Sequence, residues 1–545
     1  MSNSISKVDG SCLWPEQVRM GMTTVHMLGR EYETFTELPT GMYYALKESA
    51  VKFPDRVCVI NDFGIKYTFS QVLELVDDFS EVLYGTYHVR PGAHVALLLY
   101  NSIEFCVAFF ALNRLRAAAV PFPTKYKKEE IFSLIQKSDL DGMVCDRDFC
   151  GWFKQEFTDM PFFLIKADCH CGEYSLPRVV SRERIPTDIK PESEDMAVLM
   201  FTSGTTSFSK GVMLSNFNIM HAVSVYQRIL EITEKDSTII PVPIYHVTGL
   251  IALLGLFVFA GGSIRLHKYF DAKRILSDTK RFGVTFLHGS PTVFSLLLQE
   301  KGEFPSLPSL RALVCGSSYM PVKKIQELHN WLPDMKFHTV YGLTETSSPA
   351  AMFPGDAYGS PYIGSSGLPI PGVSFKICDD SGNCLPIGQI GTVYVKGTVV
   401  LYGYYKMQTE SLEDGWLDTG DLGYLNEESY LFIVDRKKDM INRGGEKVCS
   451  YDVENELYNI DGIAEAAVVG IPDELYGEVP AAMLVLEEEA VLTPDDIKEY
   501  LKGRLAKFKI PVKMIIVDAL PLTANSKIDK KKIRKVLSDN FMRKV

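Results

Sequence analysis

The run Thr202-Ser203-Gly204-Thr205-Thr206-Ser207-Phe208-Ser209-Lys210-Gly211 stands between two apolar, strand-like segments, 197–201 and 212–214. Its glycines let the backbone turn N–H groups inward, its hydroxyls add short hydrogen-bond donors, and Lys210 adds a full positive charge. A polyphosphate needs such groups, although composition alone leaves a flexible surface hairpin as the alternative. The order of glycine and lysine is reversed relative to a Walker loop, and no helix follows directly. The run is therefore not a P-loop, and any phosphate binding here has a different structural basis.

Alternating helical and strand-like segments precede and follow this loop. Residues 69–84 have helical periodicity, 94–100 form an apolar strand-like run, and 103–116 are helical again. A second unit begins at 196–201 and continues to residue 341. Alternation of this kind predicts an α/β fold with layers of helices on sheets.

The pattern changes twice in the C-terminal third of the chain. Between 364 and 404, glycines and short Val, Ile and Tyr runs predict β-hairpins. After residue 434, a charged, glycine-containing turn is followed by a helix from Asp452, a strand at 466–469 and a helix from Thr493. We therefore expect a large N-terminal domain at 1–435, with two α/β subdomains and a β-rich subdomain, and a small mobile α+β domain at 436–545.

Composition and charge favour a folded enzyme over a nucleic-acid-binding protein. Hydrophobic residues make up 46% of the chain, charged residues 23%, and the net charge is -11. That charge gives no general attraction for nucleic acid or anionic membrane, so an anionic substrate requires a local basic cluster. The segment 527–534 is one candidate, with a solvated helix face as the alternative. Its basic residues after Lys527 are Lys530, Lys531, Lys532 and Arg534.

Targeting and membrane signals are not evident in the sequence. The first forty residues lack the basic start, apolar centre and small-residue cleavage site of a secretory signal. The longest apolar stretch, 249–261, is shorter than the roughly 20 residues needed to cross a bilayer. We expect a buried core helix there and a cytoplasmic protein. Eleven scattered cysteines suit reduced thiols better than a disulfide framework.

One group of thiols requires separate consideration as a metal site. Cys145, Cys150, Cys169, His170 and Cys171 lie within a short span, and thiolates with imidazole are zinc ligands. Their spacing does not match a common zinc knuckle. The pattern therefore favours ordinary packed or surface thiols, with a metal site as the alternative.

The loop at 202–211 resembles the signature loop of the adenylate-forming superfamily, which contains acyl-CoA synthetases, peptide-synthetase adenylation domains and luciferases. Ser207 and Ser209 stand where glycine and proline are usual in that family. Further segments resemble the family's other motifs and follow in the family's order. They are Tyr67-Thr68-Phe69, Pro243-Ile244-Tyr245-His246-Val247-Thr248-Gly249, Tyr341-Gly342-Leu343-Thr344-Glu345, Trp416-Leu417-Asp418-Thr419-Gly420-Asp421, Asp435-Arg436-Lys437-Lys438-Asp439, Gly444-Gly445-Glu446, and Pro521-Leu522-Thr523-Ala524-Asn525-Ser526-Lys527-Ile528, where Ser526 replaces glycine.

The resemblance implies an AMP-forming acid–thiol ligase that uses ATP, Mg²⁺ and coenzyme A. Such an enzyme converts a carboxylate to its acyl-AMP and then passes the acyl group to a thiol. Coenzyme A is favoured as acceptor because no carrier-protein segment follows the last motif. A free-standing ligase that loads a separate carrier protein is the alternative, since 441–447 also resembles such ligases. A degenerate, non-catalytic nucleotide-binding protein is a minor alternative, indicated by Ser207, Ser209 and Ser526.

The resemblance also assigns roles around the nucleotide. Glu345 would bind Mg²⁺, a hard cation that prefers carboxylate oxygens, and Thr344 would bind the α-phosphate. Tyr341 offers a ring to adenine, while Asp421 and Arg436 would hold the ribose. The other residues of the predicted ATP site are Thr202, Ser203, Gly204, Thr205, Thr206, Lys210, Gly316, Ser317, Ser318 and Gly342.

Three elements of the C-terminal domain receive roles from the same family. Lys527 would bridge the carboxylate and the α-phosphate during adenylation, a role that suits a compact ammonium. Lys438 would be the hinge about which the small domain rotates. That rotation would bring Gly444 and Gly445 to the site, where residues without side chains let a pantetheine arm pass.

The acid is predicted to be alkyl or aryl. Relatives that activate α-amino acids place an aspartate near the aromatic-histidine motif, and residues 245–249 contain no acid. His246 would lie at the acid's entrance, with a packed core histidine as the alternative. The rest of the predicted pocket is mostly small and apolar. It comprises Val247, Gly249, His288, Gly289 and Cys315.

Overall fold

Four β-sheets and a separate hairpin organise the part of the chain that a computed structural model describes, namely residues 6–153, 162–178, 184–202, 209–408, 412–488, 490–523 and 527–542, with side chains to 539. The hairpin pairs Met22–Met27 with Arg30–Phe35. The sheets are described in turn below, with their strands in spatial order.

The first sheet has a parallel centre and an antiparallel edge. Its strands are, in order, Gly403–Tyr404, Lys210–Ser215, Met196–Thr202, Ala118–Pro121, His94–Leu98, Gly142–Asp146 and Phe163–Ala167. The pairing from Met196–Thr202 onward is parallel, whereas the first three strands pair antiparallel. The antiparallel edge therefore contains the strands on both sides of the hydroxyl-rich loop.

The second sheet is also parallel at its centre and antiparallel at both edges. Its strands are Leu368–Pro369, Ala351–Met352, Lys336–Tyr341, Ala312–Cys315, Phe286–Gly289, Ser237–Ile240, Ser263–Leu266, Val57–Ile60 and Lys66–Thr68. Its central strands are almost wholly buried, as expected for strands covered on both faces. Their carboxyl ends all lie at one edge of the sheet.

An antiparallel sheet forms the β-rich part predicted for residues 364–404. Its strands are Lys7–Asp9, Val373–Cys378, Gly391–Gly397, Trp416–Leu425 and Leu412–Glu413, with Leu431–Arg436 paired to Trp416–Leu425. Asp421 and Arg436 are directly opposed in this pairing. The sheet thus places two predicted ribose-binding residues side by side.

The C-terminal sheet uses only strands after residue 440. Its strands are Glu446–Val448, Ile441–Arg443, Gly477–Leu486 and Ile463–Asp473, and Lys513–Ile516 runs parallel to Gly477–Leu486. The buried residues around it form cores separate from those of the larger sheets. This arrangement agrees with a small C-terminal α+β domain, and its boundary at 435/436 stays a prediction.

Helices cover the faces of these sheets, and polar caps fix where several begin. The Thr68 and Ser215 side chains each accept a hydrogen bond from the backbone three residues later, and Ser290 does the same before Pro291. The longer helices are Met42–Lys52, Phe69–Gly85, Ile103–Arg114, Lys128–Ser138, Asn216–Leu230, Ala272–Phe282, Pro291–Gln299, Val322–Trp331, Ser450–Tyr458, Pro494–Lys502 and Lys530–Met542. Short helical turns are Gly10–Cys12, Glu16–Arg19, Arg147–Cys150, Gly151–Phe153, Thr344–Thr346 and Lys507–Lys509.

The fold class predicted from the sequence is confirmed, with small differences at element ends. The helix predicted at 103–116 ends at Arg114, because Arg116 adopts a left-handed φ of 58°. The apolar stretch at 249–261 is a buried helix that starts at Val247 and contains a π-helical segment, Leu250–Gly255. Among the described residues, no helix combines the length and apolar character that a membrane span requires.

Candidate active site

A cavity of about 1350 Å³ lies where the second sheet, the antiparallel sheet and the C-terminal region meet. Gly316 and Tyr341 contribute from the carboxyl ends of parallel strands in the second sheet. Asp421 and Arg436 contribute from the antiparallel sheet, and Lys527 contributes from the C-terminal region. In open α/β sheets, ligands bind outside the carboxyl ends of the strands, which makes this cavity the candidate active site.

Every described member of the predicted nucleotide site lines this one cavity. Together with the predicted hinge and the C-terminal lysine, these residues are Thr202, Lys210, Gly316, Ser317, Ser318, Tyr341, Gly342, Thr344, Glu345, Asp421, Arg436, Lys438 and Lys527. The predictions for Ser203, Gly204, Thr205 and Thr206, and the departures at Ser207 and Ser526, lie outside the described residues.

A fixed carboxylate marks the ribose side of the cavity. The Tyr341 hydroxyl donates to Oδ2 of Asp421 at 2.7 Å, and Nε of Arg436 lies 3.1 Å from its Oδ1. Asp421 raises the pKa of Arg436, so the guanidinium stays charged. Each carboxylate oxygen retains a free lone-pair direction, which suits hydroxyl donors from a bound ligand.

The backbone on the adenine side has little freedom. Ser317 in the turn after strand Ala312–Cys315 has a left-handed φ of 71°. A β-carbon on Gly342 would lie 1.6 Å from the carbonyl oxygen of Ser348, so only glycine fits at position 342. These constraints fix the backbone at two places in the cavity wall, the turn 316–318 and Gly342 next to Tyr341.

Tyr404 connects the phosphate side of the cavity to the predicted metal ligand. Its ring lies 4.9 Å from Nζ of Lys210, and its hydroxyl donates to Oε1 of Glu345 at 3.2 Å. Burial raises the pKa of Glu345, and the nearby Tyr404 hydroxyl, Arg436 and Lys210 oppose that shift. A cation and a buried carboxylate are therefore held on the two sides of one tyrosine.

Lys527 reaches the cavity from the C-terminal region. Burial lowers the pKa of its ammonium to about 8, and the positive charges of Arg436 and Lys438 add to the decrease. The carboxylates of Asp421 and Glu345 oppose it. Such coupling requires Lys527 to lie near these four groups, and it leaves the lysine ready to bind an anion.

Two contacts, one at the cavity wall and one outside it, hold the C-terminal region against the larger part of the chain. The rings of Tyr319 and Tyr451 stack with their centroids 5.3 Å apart. Nζ of Lys323 lies 3.0 Å from Oδ1 of Asp461. In this arrangement Lys527 faces the cavity, as the adenylation step requires in the family that the sequence resembles.

The predicted acyl pocket is partly reproduced. His246, Val247, His288 and Cys315 line the cavity, and the His246 ring contacts Tyr245 edge to face at 4.6 Å. Further side chains around this part of the cavity come from several helices and strands. They include Tyr226, Val293, Met320, Val340 and Ser348.

Gly249 and Gly289 were predicted to line the pocket but do not. A β-carbon on Gly249 would lie 2.6 Å from the carbonyl oxygen of Pro243, and one on Gly289 would lie 2.8 Å from a methyl carbon of Val293. Both glycines therefore allow close packing inside the fold instead of opening space for a ligand.

Gly444 and Gly445 form an exposed turn that lies away from the cavity in this arrangement. The turn joins strand Ile441–Arg443 to strand Glu446–Val448, and both glycines have left-handed φ values, 60° and 95°. Neither glycine lines the cavity wall described above. The predicted contact of this turn with a thiol substrate is therefore not made in this arrangement and stays a prediction.

Most of the basic cluster predicted at 527–534 lies at the cavity: Lys527, Lys530, Lys531 and Arg534 line its wall, and Lys532 is exposed. Nζ of Lys530 lies 2.8 Å from Oε1 of Glu454 and donates to Oγ of Ser450 at 2.6 Å. The same hydroxyl donates to Asp435 at 3.1 Å. Lys530 is thus a half-buried ion-pair partner at the cavity wall, while one side of helix Lys530–Met542 packs on the C-terminal sheet.

The thiols at 145–171 do not converge on one point. Cys145 and Cys169 are buried, and burial raises the pKa of the Cys169 thiol. Within the described ranges, the single group of metal-binding type consists of Asp146, Asp148 and His170, and it contains no thiol. Nε2 of His170 lies 2.7 Å from Oδ2 of Asp148, which is explained as a surface ion pair.

Two further tyrosines shape the site but were not predicted from the sequence. Tyr404 lies in a two-residue strand whose partner, Lys210–Ser215, is almost 200 residues earlier. Tyr226 lies in the helix Asn216–Leu230, where it resembles any core aromatic residue. The aromatic-rich run at 402–405 after the hairpins is the one signal that could have indicated Tyr404.

Comparison with known proteins agrees with this geometry. The sequence model for the AMP-binding enzyme family matches residues 46–405, and that for the AMP-binding enzyme C-terminal domain matches residues 452–527. The chain is 31% identical over 492 residues to 2-succinylbenzoate–CoA ligase of Bacillus licheniformis, covering 90% of this chain and 98% of that protein.

Two solved structures show the same fold over nearly the whole chain. ATP-bound MatB from Rhodopseudomonas palustris has a TM-score of 0.81 and 27% identity, with 92% of this chain and 99% of that chain covered. O-succinylbenzoate coenzyme A synthetase from Bacillus subtilis, in complex with ATP and magnesium ion, has a TM-score of 0.78 and 30% identity, with 90% and 98% covered.

Proposed function

The chain belongs to the AMP-binding enzyme family and is an AMP-forming carboxylic acid:CoA ligase, and we propose that the cavity residues described above divide its two half-reactions between them. One observation carries this proposal. Lys527, from the C-terminal region, lines the same cavity as Lys210, Glu345 and Asp421 from the larger part of the chain. Groups that could act on a triphosphate thus converge from two parts of the protein.

The first half-reaction makes a mixed anhydride. A carboxylate oxygen of the acid attacks the α-phosphorus of ATP, the bond from that phosphorus to the bridging oxygen breaks, and pyrophosphate leaves. The protein contributes by positioning the two reactants and by neutralising charge that develops on the phosphate oxygens. We assign that neutralisation to the ammonium groups of Lys210 and Lys527, with Thr344 and Thr202 donating to phosphate oxygens.

The nucleoside is held by the groups on the opposite wall. Asp421, already fixed by Tyr341 and Arg436, accepts hydrogen bonds from the ribose hydroxyls. The adenine lies between the Tyr341 ring and the turn 316–318, which line the same cavity. A carboxylate with two fixed partners does not have to reorganise when the ribose binds.

Glu345 is a suitable ligand for Mg²⁺. Its carboxylate is buried with a raised pKa, one hydroxyl donor occupies one oxygen, and a cation would favour the ionised form. Bound there, Mg²⁺ would supply positive charge next to the phosphates. Tyr404 orients the carboxylate and keeps Lys210 within the same part of the cavity.

The second half-reaction needs a different arrangement of the C-terminal region. The thiol sulfur of coenzyme A attacks the acyl carbon, and AMP leaves as the bond from that carbon to the phosphate oxygen breaks. We assign the hinge to Lys438, which follows the last strand of the antiparallel sheet by two residues. Rotation there would withdraw Lys527 and bring the exposed turn with Gly444 and Gly445 to the cavity.

The acid is an alkyl or aryl acid, and its carboxylate lies beside His246, with Val247 and Cys315 along its tail. Coenzyme A is the acceptor, and a separate carrier protein is the second candidate. All eleven cysteines carry free thiols, which supports a reducing compartment and a cytoplasmic address for the enzyme.

The test is pyrophosphate release across a panel of acids. Purified protein with Mg·ATP is offered alkyl, aryl, α-amino and dicarboxylic acids, and products are then assayed with coenzyme A or with a phosphopantetheinylated carrier protein. We expect release that depends on the acid and a thioester with coenzyme A. Release followed by transfer to carrier protein alone would favour the second candidate, and no release with any acid would overturn the assignment.

A further inference from the structure

Three uncharged polar side chains meet in the acyl part of the cavity. Tyr226 comes from helix Asn216–Leu230, His288 from strand Phe286–Gly289, and Ser348 from the turn after Thr344–Thr346. The Tyr226 and Ser348 hydroxyls are 2.9 Å apart and hydrogen-bonded, and the rings of Tyr226 and His288 have centroids 6.1 Å apart. All three side chains line the cavity although none is more than 7% exposed. We call them the polar triad.

Within the triad, His288 presents one ring nitrogen towards the ligand space. Its Nε2 lies 3.4 Å from the position of a β-carbon on Gly316, a residue that lines the cavity. Its Nδ1 is buried and has no hydrogen-bond partner within the described part of the chain. Among the described residues, no group at Nδ1 fixes the tautomer, so Nε2 can either donate a hydrogen bond or accept one.

The triad carries no charge at physiological pH. Burial lowers the pKa of His288 to about 3, so the ring stays neutral. Burial raises the pKa of Tyr226, so the phenol stays protonated. Ser348 is held with an uncommon φ of 95°, which fixes where its hydroxyl can lie.

Apolar side chains share the cavity wall with the triad. Val247, Val293, Cys315 and Val340 line the same cavity, and Val340 lies beside Gly316 as His288 does. An acid with a hydrocarbon tail would displace water from Nε2 of His288 without replacing its hydrogen bond. A second carboxylate would be buried against neutral groups, which is more costly still.

On the basis of the proposed ligase function, we propose that the polar triad recognises an uncharged oxygen substituent, a hydroxyl or a carbonyl, on the tail of the acid. A carbonyl oxygen would accept from His288 or Tyr226, and a hydroxyl would donate to Nε2 or to Ser348. The acid is then an oxygenated alkyl or aryl acid with one carboxylate. The triad sets specificity and takes no part in either displacement.

The experiment compares acids matched in length that differ only in the tail. Each set contains the hydrocarbon acid, its hydroxy and keto derivatives, and the corresponding dicarboxylic acid, and kcat/KM is measured by pyrophosphate release. We expect the best oxygenated acid to exceed its hydrocarbon counterpart by roughly tenfold to hundredfold. His288→Leu and Tyr226→Phe should each reduce that ratio towards one, because the oxygenated acid loses more activity than the hydrocarbon acid. Thermal unfolding of each variant shows whether it is folded.

Tyr245→Phe is the matched control, because Tyr245 is a second buried cavity tyrosine whose hydroxyl lies outside the triad. Its selectivity ratio should equal that of the wild type. Preference for hydrocarbon or dicarboxylic acids, or an unchanged ratio in both triad variants, would overturn the triad's role and leave the ligase assignment intact. No pyrophosphate release with any acid would overturn the ligase assignment and this inference together.

Discussion

Adenylate formation should be lost above about pH 8, because Lys527 then loses its proton. An exposed lysine has a pKa of roughly 10.4, and burial together with Arg436 and Lys438 lowers that of Lys527 to about 8. The form that neutralises phosphate charge is the protonated one. Activity is therefore complete below the folded pKa and decreases as the pH rises through it.

The size of the effect follows from that pKa. Roughly nine-tenths of Lys527 is charged at pH 7 and roughly one-tenth at pH 9, so kcat/KM should fall about tenfold between these values. A lysine with an ordinary pKa would give a flat profile over the same range. The difference between the two cases is far larger than the error of a rate measurement.

The assay is ATP–pyrophosphate exchange without coenzyme A, so that ionisation of the thiol does not contribute. With all reactants below their KM, the pH dependence of the rate reports the pKa of Lys527 in the free enzyme. Lys527→Arg should lower the overall rate but remove its decrease at alkaline pH, which we call the alkaline limb of the pH profile, because the guanidinium stays charged throughout. Lys532→Arg, at an exposed position on the helix Lys530–Met542 that follows Lys527, should keep the decrease in rate at alkaline pH. A flat wild-type profile, or an unchanged limb in Lys527→Arg, would refute the reasoning.

Lys438→Pro should leave pyrophosphate exchange nearly intact and impair thioester formation, as measured on one preparation; unaltered thioester synthesis would contradict the hinge. Tyr404→Phe removes the donor to Glu345 and should cost about 1 to 2 kcal/mol, seen as a roughly fivefold to thirtyfold loss in kcat/KM with a weaker response to Mg²⁺. An unchanged magnesium titration would argue against that link. Lys530→Met leaves Glu454 buried without its partner and should lower the free energy of unfolding by about 3 to 5 kcal/mol in urea titrations. Adding Glu454→Leu should restore most of that loss, and no recovery would mean that the ion pair is not the cause.

The motif resemblance predicts the residues of the site, and the fold explains why several of them meet. Gly316, Tyr341 and Glu345 lie at or after the ends of neighbouring parallel strands of the second sheet, which end at the same edge. Lys527 comes from no strand of that sheet. Its placement in the cavity depends on how the C-terminal region packs, which local periodicity does not encode.

The failures of prediction concern contacts between distant parts of the chain. Gly249 and Gly289 were expected to open space, but what surrounds a glycine depends on Pro243 and Val293, whose positions follow from the fold. Tyr404 reaches Glu345 only through an antiparallel pairing across nearly 200 residues. Neither relation leaves a local signal in composition or spacing.

The basic run at 527–534 shows what sequence alone cannot predict about a charged residue. Four basic residues after Lys527 predict a local basic cluster, with a solvated helix face as the alternative, and the structure places Lys530 at the cavity wall, where it pairs with Glu454. A buried ion pair cannot be distinguished from a solvated charge until its partner is known. In this case the partner is more than seventy residues earlier.

The most direct measurement is the separation of the two half-reactions in Lys527→Ala. Acid-dependent pyrophosphate release and conversion of a supplied acyl-adenylate to acyl-CoA are timed on the same preparation. We predict that release falls by roughly 10²-fold or more, as when one preorganised charge-stabilising group is removed, while conversion stays near the wild-type rate. Equal losses in both steps, or undiminished release, would contradict the convergence of the C-terminal lysine and the larger domain on one triphosphate.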